Sequence, residues 1–99
     1  MNDYIFFMHN DAKDGQLDPG DQWGAYFAKL RQAGAFQGGS AIGDGICASK
    51  AGTPPRVTPH LSGYIRVQAE SLKHARDLVD GNPVFEAGGT VEIRELPKT

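Results

Sequence analysis

The chain has one cysteine, Cys47, so no internal disulfide can form, and a reducing compartment, the cytoplasm, is the expected location. It has no apolar run of the length a membrane-spanning helix needs. Met1-Asn2-Asp3 passes directly into a strand-like run, so no secretory leader is expected. Charge of one sign is also lacking: the formal net charge of -2 leaves no basic footprint for nucleic acid. Lys50 is followed by Ala51 rather than by Ser or Thr, which rules out a phosphate-binding loop there. At 99 residues there is too little chain for two cores, so a single domain over 1–99 is expected.

Glycine is in excess. The thirteen glycines are roughly twice the average share and cluster between residues 34 and 52. The remaining pattern is that of an ordinary globular chain. Tyr4-Ile5-Phe6-Phe7-Met8 is a short apolar run, aromatic and β-branched, and reads as a strand covered on both faces. Residues 10–17 read as a loop containing Gly15. Asp18 then suits an N-cap, Pro19 the first helical position and Asp21 the first turn. Trp23, Tyr26, Phe27 and Leu30 make one helical stripe, which Arg31 and Gly34 close.

From Phe36 to Lys50 the glycines interrupt what could be two short strands or one bent one, with a bulge or a close backbone approach. Residues 51–59, with Pro54, Pro55 and Pro59, form a loop. Gly63 to Gln68 alternates, with Ile65 and Val67 on one face and Tyr64, Arg66 and Gln68 on the other. Ser71 caps a second helix with the stripe Leu72, Ala75, Leu78 and Val79, stopped by Gly81 and Pro83. Thr90 to Leu96 is a last strand, with Val91 and Ile93 opposite Glu92 and Arg94.

The resulting order, β-α-β(β)-β-α-β, predicts an α+β, ferredoxin-like subunit: a four- to five-stranded antiparallel or mixed sheet with two helices on one face. Two helices cover one face only, so a first strand that is apolar on both calls for a second copy of the sheet, a homodimer.

The chain resembles the YCII-related family, including its YciI-like and DGPF-type branches. The resemblance rests on the first strand, on Leu30-Arg31-Gln32-Ala33-Gly34 with the Gly-Gly that follows, and on Ser62-Gly63-Tyr64. Ala69-Glu70-Ser71-Leu72, Asn82-Pro83 and Gly88-Gly89-Thr90-Val91-Glu92-Ile93-Arg94 complete it. What it implies is a dimeric α/β barrel, a fold shared with small isomerases, monooxygenases and dehalogenase-like enzymes, most members having no assigned function. The His–Asp dyad proposed for some members does not carry over. The helix position of the His is Trp23, the Asp-Pro is Asn82-Pro83, and Gly52 to His60 holds no DGPF motif.

Other residues must therefore carry any chemistry. His9 and Asp11, at the end of the first strand, could serve as base and orienter, or could simply begin a turn. Tyr64, Arg66, Glu92 and Arg94 share the face away from the helices, where the two guanidinium groups suit an acidic ligand or an intersubunit salt-bridge network. With the first and third strands parallel, His9 and His60 would lie at opposite ends of the sheet, so no metal site is expected from them. Trp23, Tyr26 and Phe27 read as core, His74 as helix surface and Cys47 as a small buried apolar residue. No cofactor motif is present. Three function classes follow: binding of a small acidic or aromatic metabolite in a cavity at the sheet or dimer interface, a cofactor-free proton-transfer enzyme (isomerase, lyase or dehalogenase-like) using His9 and Asp11, or a non-catalytic interaction module.

Overall fold

A computed structural model describes residues 1–12 and 19–98. Its elements are β1 (Asn2–His9), α1 (Pro19–Gln32), β2 (Phe36–Ala41), β3 (Leu61–Ala69), α2 (Leu72–Asp77), α3 (Pro83–Glu86) and β4 (Val91–Leu96). The four strands form one sheet in the order β2-β3-β1-β4, and every neighbouring pair is antiparallel. That is the split arrangement expected of a ferredoxin-like chain. The loop expected at Gly15 and the cap expected at Asp18 lie outside the described residues, as does the side chain of Asp21.

Side-chain alternation sets the layers. Tyr4, Phe6 and Met8 of β1 and Ile65, Val67 and Ala69 of β3 are buried against the helices. Fully burying one such large side chain contributes roughly 1.5–3 kcal/mol. Tyr26 and Leu30 of α1, with Ala75, Leu78 and Val79 around α2, close that core. The Tyr26 hydroxyl donates to the Leu78 carbonyl at 2.8 Å, tying α1 to the end of α2. Burial pushes that phenol up to about 12. The other face of β1, carrying Ile5 and Phe7, is half-buried, and no helix among the described residues lies over it.

Three expectations are corrected. The 36–50 stretch supplies only one short strand, and residues 42–60 contain no helix or strand. Close approach explains Gly39, where a Cβ would lie 2.6 Å from the Tyr64 carbonyl oxygen, and the register slips between Phe36 and Gly38, whereas Gly43 and Gly45 meet nothing within 4 Å. Second, Leu72 is 57% exposed and drops out of the α2 stripe. Third, Asn82-Pro83 does more than stop a helix. Asn82 is fully buried and its Oδ1 accepts the N–H groups of Val84 and Phe85, at 2.9 and 3.3 Å, so it caps α3. No helix among the described residues is long and apolar enough to cross a membrane.

Candidate functional site

The register of the sheet lays two cross-strand rows over the helix-free face. Phe7 of β1 is flanked by Tyr64 on β3 and Glu92 on β4. One step along, Ile5 is flanked by Arg66 and Arg94. Two strand spacings separate the outer members of each row, on the order of 10 Å. All four ligand-binding candidates therefore share one face, around the two apolar side chains of the central strand. Arg94 is two-thirds exposed, while Arg66 donates to the Gln37 carbonyl at 3.0 Å beside the edge strand.

His9 closes the Phe7 row. The β1–β3 register shifts between Met8 and His9, yet the His9 N–H still bonds the Thr90 carbonyl at 2.9 Å. The imidazole Nε2 then lies 3.0 Å from Glu92 Oε1, and the other oxygen of that carboxylate accepts from Arg94 Nη1 at 3.2 Å. The hydrogen bond from His9, followed by that from Arg94, holds the Glu92 carboxyl below its ordinary range. A neutral His9 that donates through Nε2–H keeps its lone pair on Nδ1, the form a general base requires.

Asp11 is not the group that orients His9. Its two oxygens accept from the Thr90 N–H at 2.8 Å and the Thr90 hydroxyl at 2.7 Å. Those two bonds lower its carboxyl, the hydroxyl contributing most and His9 little. Asp11 thus ties the chain after β1 to the start of β4, and Glu92 supplies the carboxylate at the imidazole. His60 is also relocated. Because β1 and β3 run antiparallel, the end of one meets the start of the other, and the two imidazoles stack edge to face with centroids 4.6 Å apart. Among the described residues, no three His, Cys, Asp or Glu side chains converge as a metal-ligand set.

On the opposite side of the sheet a cavity of about 420 Å³ opens between α1 and β2–β3. Trp23, Phe27 and Met8 form its apolar walls, and Gly39 and Gly63 its floor. Trp23 and Phe27 are only partly buried, so the aromatic stripe read as core is in part a cavity wall. Ser40, Ser62 and Tyr64 also line it, and the two serine hydroxyls donate to the carbonyls of Ala41 and Met8. The paired signal in the sequence was the glycine spacing opposite the aromatic stripe. Cys47 lies half-buried between β2 and β3, outside both sites.

No protein-family model matches the chain, and no curated protein matches it. Among solved structures, it is similar in fold to the 5-chloro-2-hydroxyhydroquinone dehydrochlorinase of Burkholderia phenoliruptrix AC1100, in its complex with 2,5-dihydroxybenzoquinone. The TM-score is 0.59 at 15% identity, covering 98% of this chain and 95% of that one. At that identity the likeness shows the fold.

Proposed function

We propose that this chain is a divergent YCII-related protein of the cytoplasm that binds a small acidic, ring-bearing metabolite at the His9 end of its helix-free sheet face, completed by a second copy. The observation that carries this reading is the pairing of an exposed guanidinium with an apolar ring platform. Arg94 stands across from Ile5 and diagonal to Phe7, and is joined through Glu92 to His9. A carboxylate or enolate would dock on Arg94 and, if drawn from its bond to Gln37, on Arg66, while the ring lies over Phe7. The cavity under α1 suits such a ligand less well. Among the described residues its lining holds no cation, and an anion left there without one would be costly.

A specific observation favours a second reading, in which the same site is a cofactor-free proton-transfer enzyme. Glu92 fixes the imidazole at 3.0 Å, so Nδ1 can take a proton from an acidified C–H or O–H of the ligand and return it, with Arg94 stabilising the anion between the two steps. The fold neighbour binds an acidic quinone, which makes 2,5-dihydroxybenzoquinone a sensible first probe.

Thermal shift with that probe, benzoate and inorganic phosphate tests the binding reading. A ligand bound only to the folded state raises the midpoint through mass action. The expected result is a shift for the ring acids that Arg94→Ala abolishes. A shift that survives Arg94→Ala would place the ligand elsewhere, and no shift at all would defeat the reading. Deuterium exchange into the ring C–H of the quinone tests the second reading, and exchange no faster with the wild-type chain than with His9→Ala would exclude it.

A further inference from the structure

The connection between β2 and β3 is far longer than two antiparallel neighbours need. Hairpin loops take about 2–5 residues, and loops beyond about 12–15 residues without structure of their own are uncommon in compact domains. Here residues 42–60 contain neither helix nor strand. Among the described residues, backbone hydrogen bonds tie only the two ends: Ile42 N–H to the Ser62 carbonyl at 3.1 Å, and Asn10 N–H to the His60 carbonyl at 2.8 Å. Between them Cys47 is half-buried and every other residue is exposed.

This arm is not composed as a solvated loop. Ile46 is 92% exposed and Val57 39%. Its two limbs, 42–47 and 54–61, flank a groove of about 720 Å³ with a mixed polar and apolar lining that includes Ile46 and Val57. The chain's radius of gyration, 14.8 Å, exceeds the roughly 13 Å of a compact domain of about 100 residues. Ile46 and Val57 line that one groove, so the exposed apolar side chains of the arm are clustered rather than scattered singly, as on an interaction surface.

We infer that the 43–59 arm is an intersubunit arm that packs on a second copy of this chain, with Ile46 as its anchor. This rests on the homodimer of the reading above. Two observations select a second copy over an unrelated partner. First, the arm leaves the sheet at the end where His9 and His60 meet, so it is continuous with the helix-free face. That face carries Ile5 and Phe7, half-buried in the single subunit, an apolar surface of the kind Ile46 would cover. Second, the face is too small by itself. It offers four outward side chains each from β1 and β3, three from β4 and Ser40 from β2, whereas a standard interface uses roughly 20–30 residues a side. The arm supplies the missing share, and two-fold symmetry makes each copy both donor and acceptor. Each ligand site is then roofed by the other copy's arm.

The test is light scattering across a dilution series on the full chain, on Ile46→Asp and on Phe7→Asp, with circular dichroism as a folding check. Ile46 lies in solvent in the single subunit, so its substitution leaves the fold intact. The expected result is a wild-type dimer, with the dissociation constant raised at least about tenfold in both variants. A wild-type dimer that Ile46→Asp leaves unchanged would overturn the arm while the dimer stood. A monomeric wild-type chain would overturn both. A monomer would also remove the second copy from the proposed site, whereas binding at Arg94 is read by its own thermal-shift test, so the failures are distinguishable.

Discussion

His9 and Glu92, 83 residues apart in sequence, meet at 3.0 Å because the antiparallel β1–β4 register makes them diagonal neighbours on one sheet face. That contact turns two half-buried polar side chains into a unit with Arg94 at its outer end.

The unit has a signature on the acid side. Glu92 titrates below its ordinary value of 4.5 in the folded chain. Its contribution to stability is therefore fully present above the unfolded value and is lost as pH falls through the folded one. His9→Asn removes the largest cause, so carbon-detected NMR should show the Glu92 midpoint rising towards 4.5. An unchanged midpoint would mean that Arg94 alone holds the carboxylate.

Asp11 should respond to Thr90 rather than to His9. Thr90→Val deletes the hydroxyl donor, the largest cause of the lowered Asp11 value, and leaves the backbone N–H. The Asp11 midpoint should rise, while His9→Asn moves it far less, both read in the same NMR titration.

Asn82 carries the cap of α3 from a fully buried position. Asn82→Ala should cost about 1–2 kcal/mol in urea unfolding. Asn82→Ser, which retains a short acceptor, should recover part of that.

Gly39 has no room for a methyl group, because the Tyr64 carbonyl stands 2.6 Å from where the Cβ would lie. Gly39→Ala should destabilise the chain by roughly 1–3 kcal/mol. Gly43→Ala, with nothing within 4 Å, should be near neutral by the same measurement.

Local pattern carried most of the fold into the sequence. The alternation at Ile65 and Val67 and the stripe at Tyr26 and Leu30 are statements about one element and one buried face, and the buried side chains obey them. The face shared by Tyr64, Arg66, Glu92 and Arg94 was legible for the same reason, since period-two alternation assigns faces without knowing partners. Pairing was not legible. Strand direction brings His60 to His9, and register brings Glu92 rather than Asp11 to the imidazole, though Asp11 is nearer in sequence. Neither direction nor register is written in a single strand's composition. Leu72 misled because an apolar residue in the first turn of a short helix need not face the core.

The reading proposed above places a small ring-bearing acid on the helix-free face at its His9 end. The most direct measurement is chemical-shift mapping of the labelled chain with benzoate. The expected result is shifts at His9, Phe7, Tyr64 and the Arg94 guanidinium, all lost in Arg94→Ala. Shifts confined to Trp23, Phe27 and Met8, the walls of the cavity under α1, would contradict it.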